Sequence, residues 1–260
     1  VRLLFTVEGF LGTDYVGQLR ASAGGPVDGR PVRDLPELRR IVVLRDPSEF
    51  GPGAVPLAAD VQLFDDFMAQ ADSVSAEVGA ARAQAVGPDD LSDILFTSGT
   101  TGRAKGVMTT HSQNLRAFHS WSSVVGLSAE DRYLVVNPFF HAFGYKAGWL
   151  AALMCGSVLL PHPVFDPDAV LARIAVDRIT MLPGPPALFQ RLLAHPERGH
   201  HDLTSLRLAV TGAAVIPVEL IERMRSDLGF ETVITGYGLT EVCGIATMCR
   251  FDDDPITIAS

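Results

Sequence analysis

No apolar run in this chain reaches the roughly 20 residues that a bilayer-spanning helix needs, and no secretory leader pattern opens it. The expectation is a cytoplasmic protein with no transmembrane segment. Cysteine is scarce: Cys155, Cys243 and Cys249 are the three. An odd number at no metal-like spacing argues against a disulfide framework. Cys243 and Cys249, six apart with no histidine partner, argue against zinc. Positive charge is short as well, with 21 Lys and Arg against 30 Asp and Glu and a net charge of −9. That balance disfavours nucleic acid or an acidic membrane as a partner. An initiator methionine is also lacking. Val1–Val7 reads as a core strand from the first residue, and the chain stops in a polar stretch after Phe251, so a piece of a longer protein is expected.

What remains is an ordinary globular composition, 47% apolar and 20% charged. The 260 residues suffice for one large domain or two small ones. Leu3 to Val7 reads as a strand, Tyr15 to Ala21 as a helix, and Ile41-Val42-Val43-Leu44 as a strand buried on both faces. Residues 45–60 read as Pro- and Gly-rich loop, and 62–85 as helical with a break near Asp72-Ser73. From residue 92 strands and helices alternate. The strand-like runs are Asp93–Thr97, Tyr133–Asn137, Ser157–Leu160, Ile179–Leu182, Leu206–Thr211 and Glu231–Thr235. Helix-like runs cover 112–125, 144–154, 167–177, 185–194 and 217–228, with Asp166-Pro167 and Ile216-Pro217 as helix starts. This rhythm predicts an α/β fold with largely parallel sheets flanked by helices, divided near residue 90. Ligands of such sheets bind in the loops that follow the strands.

One of those loops is Thr97-Ser98-Gly99-Thr100-Thr101-Gly102-Arg103-Ala104-Lys105-Gly106. Glycines permit close backbone approach, hydroxyls and a nest of N–H groups can cradle phosphate oxygens, and Lys105 adds a point charge. The order is wrong for a Walker A loop, because Ala104 precedes Lys105 and Gly106 follows it. A polar surface hairpin is the competing reading. Six consecutive Thr, Ser and Gly residues after a strand expected to be buried disfavour it.

The stretch Thr97–Gly106 resembles the phosphate loop of the adenylate-forming superfamily, which includes acyl-CoA synthetases, 4-coumarate–CoA ligases, luciferases and the adenylation domains of peptide synthetases. That family usually has Pro where this chain has Ala104, a change in stiffness rather than in donors. By this resemblance Thr97, Ser98, Gly99, Thr100, Thr101, Gly102 and Lys105 hold ATP phosphates.

A second loop, Gly236-Tyr237-Gly238-Leu239-Thr240-Glu241, offers a tight backbone, an aromatic face, a hydroxyl and a carboxylate suited to Mg²⁺. Glu241 stands where a dinucleotide fingerprint needs a third glycine, and its charge would face a pyrophosphate. The stretch is similar to the superfamily's Tyr-Gly-x-Thr-Glu motif. The similarity implies that Tyr237 packs on adenine, Thr240 contacts the α-phosphate and the acyl carbonyl, and Glu241 ligates Mg²⁺. Gly212-Ala213-Ala214 follows another strand with small residues that leave room for a ligand. A tight turn is the bland alternative, and in the family the matching stretch borders adenine and the acyl pocket. A lone histidine beside aromatics, as in Asn137-Pro138-Phe139-Phe140-His141, is more often structural than catalytic, but the stretch looks like the family's Pro-x-x-His segment, which would place His141 between acid and nucleotide.

Amino-acid-activating relatives carry an aspartate beyond this histidine. None lies between Phe139 and Leu153, and Tyr145 to Leu150 reads as aromatic, small and apolar, favouring a neutral hydrophobic acid. The other six histidines have no motif context, and Arg191, Arg198 and Arg207 read as solvated.

Asn137–Gly148, Leu182–Pro186, Val210–Val215 and Thr247–Asp254 look most like actinobacterial fatty-acid–CoA-ligase-like enzymes that activate a propanoate side chain left by steroid degradation. The resemblance implies part of a large N-terminal AMP-binding domain, without the C-terminal lid and its lysine. It implies an acid–CoA ligase that uses ATP, Mg²⁺ and CoA, and it allows a homodimer. These 260 residues alone would bind nucleotide weakly and turn over little. A fatty- or aryl-acid ligase and a non-catalytic nucleotide-binding domain are the alternatives.

Overall fold

Two units divide the chain, Val1–Val86 and Gly87–Ser260. The computed structural model describes residues 1–7, 9–44, 60–97 and 102–259. The loop expected over 45–60 lies almost wholly outside them, as do Ser98, Gly99, Thr100 and Thr101.

In the first unit β1 (Leu3–Val7) is followed by a small hairpin, β2 (Gly9–Phe10) with β3 (Thr13–Asp14), and by α1 (Tyr15–Ala23). Then come β4 (Arg40–Leu44), β5 (Val61–Leu63), α2 (Phe64–Met68) and α3 (Ala76–Gln84). The Asp14 side chain caps α1 by accepting the Gly17 N–H. The segment read as helical from 62 opens instead as β5, and Ala69–Ser73 is a 3₁₀ turn before the break. β1, β4 and β5 form a parallel sheet with β4 in the middle. That position explains the all-apolar run Ile41-Val42-Val43, which is fully buried.

The second unit opens with β6 (Leu91–Thr97) and β7 (Lys105–Thr110), an antiparallel pair. α4 (His111–Val125) follows, then β8 (Arg132–Val135) and a π-helix (Phe143–Leu150) that runs on into α5 (Ala151–Cys155). β9 (Val158–Pro161), α6 (Pro167–Asp177), β10 (Met181–Pro183), α7 (Pro186–Leu193) and β11 (Leu208–Gly212) come next. α8 (Val218–Ser226), β12 (Thr232–Tyr237), β13 (Thr247–Met248) and α9 (Pro255–Ala259) complete it. Helix starts follow their local signals. Thr110 and Gln113 form a reciprocal capping box at α4, and Asp166 caps α6 with Pro167 in its first turn.

Six strands form one sheet in the order β13-β12-β11-β10-β8-β9, parallel except for β13. Alternate residues feed two cores. Leu134, Leu182, Ala209 and Val233 pack with α6, α7 and α8 on one face. Tyr133, Val135, Met181, Leu208, Val210 and Ile234 pack with α4 and the π-helix and α5 on the other. After β8 the chain runs outward to β9, then returns to the other side of β8 for β10, β11 and β12. The direction of winding therefore reverses between β8 and β10, the switch point at which open α/β sheets leave a crevice at the strands' carboxyl ends.

Three of the strand and charge expectations need correction. β1 is not a core strand: it lies at the edge of its three-stranded sheet, with Leu3, Phe5 and Val7 exposed. β6 is not a buried strand: Phe96 is 74% exposed and Ile94 is also exposed, because among the described residues β6 pairs only with β7. Arg207 is not simply solvated. At the amino ends of the parallel strands its guanidinium reaches Asp131 at 2.7 Å, and Asp131 also accepts from the Thr180 hydroxyl and the Ser128 N–H. Burial pushes the Asp131 carboxyl up. The hydrogen bonds from Thr180, Arg207 and Ser128 and the Arg207 charge outweigh it and hold the group below the usual aspartate value.

Candidate functional site

The loops singled out after β8, β11 and β12 leave the carboxyl ends of parallel strands, whereas Thr97 and Lys105 end an antiparallel pair, β6–β7, that stands outside that sheet. Gly212 ends β11 and Gly236 is its register partner on β12, so the two glycines lie side by side. A Cβ on Gly212 would come within 2.5 Å of the Gly236 carbonyl oxygen, which restricts that position to glycine. Ala213 follows with φ 65°, a left-handed conformation that costs an alanine energy. Ala213 and Ala214 are exposed at the sheet's edge.

β12 ends at Tyr237, which is 61% exposed. The chain then folds into a 3₁₀ turn, Thr240–Val242, closed by Cys243 N–H to Thr240 O and Gly244 N–H to Leu239 O, and returns as β13. Cys243 has φ 64°, a second strained non-glycine in these loops. A Cβ on Gly238 would collide with the Gly244 carbonyl oxygen, and one on Gly236 would touch Ile245. Gly238→Ala is therefore expected to push the turn open, lowering the melting temperature by several degrees and activity by about tenfold or more; thermal unfolding with an activity assay checks it.

His141 sits beyond β8, at the switch point. Its N–H bonds to Pro138 O, and its Nδ1 accepts the Phe143 N–H at 3.1 Å, so a neutral ring carries its proton on Nε2. The ring is exposed. Gly244 passes close to Ala142, where an added Cβ would meet the Ala142 Cβ at 3.1 Å, so the turn carrying Thr240 and Glu241 lies against the segment carrying His141. β7 also runs beside that turn. In the hairpin Thr97 and Lys105 are register partners that close the loop between them, and Gly102 has φ 81°. The structure thus brings together the turn at Thr240 and Glu241, the Gly212–Ala214 edge, the His141 segment and strand β7 of the hairpin.

A groove of about 640 Å³ opens between α4 and the chain leaving the turn, walled by apolar side chains such as Trp121, Ile245 and Phe251 and by polar ones including Ser120, Arg250 and Asp252. Trp121 is 2% exposed, and its indole N–H has no partner among the described residues.

Sequence reasoning missed Lys146. The π-helix expected to be aromatic, small and apolar holds a fully buried ammonium, 3.2 Å from Asp93 Oδ1 and hydrogen-bonded to Thr109 Oγ1 at 3.0 Å. Its neighbours are apolar, and the charge that balances it is on β6. A signal existed: the chain has only two lysines, Lys105 and Lys146. Burial pushes the Asp93 carboxyl up, but hydrogen bonds from Thr109, Asn114 and Lys146 and the Lys146 charge bring it below the usual value. Burial raises the Cys243 thiol, and Lys146 and Asp93 act on it in opposite senses. No described helix is long and apolar enough to cross a membrane.

A family model described as "AMP-binding enzyme" matches residues 38–259. The chain is 49% identical over 258 residues to a 3-[(3aS,4S,7aS)-7a-methyl-1,5-dioxo-octahydro-1H-inden-4-yl]propanoyl:CoA ligase of Mycobacterium tuberculosis, covering 99% of the chain and 46% of the relative. It is 46% identical to the ligase of the same description from Rhodococcus jostii, covering 99% of the chain and 47% of that relative. It therefore spans about half the length of these curated relatives. Among solved structures, the anthranilate CoA ligase AuaEII in complex with anthranoyl-AMP superposes with a TM-score of 0.74 at 26% identity, over 97% of this chain and 44% of that one.

Proposed function

Because the chain belongs to the AMP-binding enzyme family, we propose that the full-length gene product activates a hydrophobic carboxylic acid with ATP and transfers it to coenzyme A. In the first step the carboxylate attacks the α-phosphorus and pyrophosphate leaves. In the second the CoA thiol displaces AMP from the acyl-adenylate. The observation that carries this reading is the Thr240–Glu241 turn packed against the His141 segment, beside the hairpin that ends in Thr97 and Lys105. Positioning and charge stabilisation are most of what adenylation asks of a protein.

Thr97, Gly102 and Lys105, with Ser98–Thr101, take the outer phosphates. The exposed Tyr237 ring covers adenine beside Gly212, Ala213, Ala214, Gly236 and Gly238. Thr240 meets the α-phosphate and the carbonyl, and His141 stands between acid and nucleotide. Glu241 is a single exposed carboxylate with no ion pair among the described residues. That suits Mg²⁺, which takes one or two carboxylates and fills its shell with phosphate oxygens and water. The ion would neutralise phosphate charge.

The acid is proposed to be the ring-fused propanoate with two oxo groups named for the two ligases above. The groove beside the turn sets apolar side chains beside Ser120, Ser123, Thr247, Arg250 and Asp252, a mixed lining that suits a polycyclic body carrying oxo groups.

The test is CoA-dependent AMP release by the full-length gene product with Mg-ATP and a panel of fatty, aryl, amino and bicyclic oxo-propanoic acids. Release with the bicyclic acid is expected. Release with a fatty or aryl acid alone keeps the reaction and replaces the substrate, and silence across the panel overturns the enzymatic reading.

A further inference from the structure

A fully buried lysine is expensive unless paired, and Lys146 is paired in a way that joins separate elements. Asp93 and Thr109 are register partners at the root of the β6–β7 hairpin, at the opposite end from its loop. Lys146 lies on the π-helix, five residues after His141. Its Nζ is 3.2 Å from Asp93 Oδ1 and donates to Thr109 Oγ1, which donates in turn to Asp93 Oδ1 at 2.8 Å. Asp93 Oδ2 accepts from Asn114 Nδ2 of α4 at 2.5 Å and from the Tyr145 hydroxyl at 3.4 Å. The two charges thus fasten both hairpin strands, α4 and the helix after His141 at one point. π-helical segments are rare and concentrate at functional sites, and this one sets a charge among apolar neighbours.

We propose that Lys146 is a positioning residue: with Asp93 and Thr109 it locks the root of the phosphate hairpin to the helix that follows His141. The assignment rests on the adenylation reading above. The clamp holds β6 and β7, whose ends Thr97 and Lys105 are proposed to meet the outer phosphates of ATP, in register with the segment that meets the acid. It matters while ATP and acid are held together and ceases to matter once pyrophosphate has left.

Lys146→Met alone strands the Asp93 carboxylate in a buried site and risks unfolding. The informative variant is therefore the neutral pair Asp93→Asn with Lys146→Met, made in the full-length gene product. Its melting temperature is expected to stay within a few degrees of wild type. Acid-dependent exchange of pyrophosphate into ATP should fall about a hundredfold, as misplacement of reacting groups by an ångström can do. Thioester formation from supplied acyl-adenylate and CoA should stay within about threefold. Equal loss in both half-reactions, or no loss in the first, overturns the proposal. So does failure of the neutral pair to fold, because the ion pair would then serve the fold itself. If wild type is silent with every acid, the adenylation reading fails separately. The clamp is then judged by Mg-ATP affinity from calorimetry, where a tenfold weakening supports it and an unchanged affinity refutes it.

Discussion

Glu241→Gln should lower AMP release about a thousandfold and leave the melting temperature within about 2 degrees of wild type. The side chain is exposed on a three-residue 3₁₀ turn whose closing hydrogen bonds are all backbone. Folding does not use its charge, and exposed substitutions away from packing features usually stay within about 0.5 kcal/mol. Catalysis would use it. The carboxylate is the hard oxygen donor of the turn, and losing one group aimed at developing or transferring charge costs about 100- to 1,000-fold, with loss of a metal ligand at the upper end. Steady-state AMP release with a melting curve measures both quantities. A variant of wild-type rate would remove Glu241 from the metal site, and equal loss of rate and stability would make the turn a structural element.

Asp131→Ala should act in the opposite way, destabilising by about 3 kcal/mol with little direct effect on the chemistry of the folded fraction. Asp131 is 2% exposed and sits at the amino ends of the strands, the edge of the sheet away from the candidate site. Its loss leaves the Thr180 hydroxyl, the Ser128 N–H and the Arg207 guanidinium without their shared acceptor. Urea unfolding at neutral pH checks the magnitude. The pH dependence follows from a carboxyl held lower in the folded than in the unfolded protein. Its stabilisation is complete above the unfolded value of about 3.9 and is lost as pH falls through the folded value. Asp93 contributes in the same direction. Wild type should therefore lose stability steeply below about pH 4, and Asp131→Asn should flatten that fall. Parallel curves for the two proteins would show that Asp131 titrates alike in both states.

The sequence was a good guide wherever a feature is written in neighbouring residues. Asp166-Pro167 marks α6, and Thr110 with Gln113 caps α4 within a single turn of helix. The all-apolar run Ile41–Val43 could only belong to a central strand, and alternation of strand and helix demanded a parallel sheet with its loops at one edge. The glycines and hydroxyls of those loops were legible because backbone approach and anion binding need those residue types in close succession. The strand order was not legible, since nothing local distinguishes the strand that turns outward from the one that returns. Nor was the exposure of Phe96, because alternation within β6 does not tell which face, if any, has a partner. The polar contacts that matter most were the least visible. Arg207 meets an aspartate 76 residues away, and the π-helix that carries Lys146 binds through Tyr145 to an aspartate 52 residues away. Before folding, such charges look like any solvated side chains. Only when the sheet and helices close around them does water leave, and from that point each buried charge must find the one partner that topology has brought within reach.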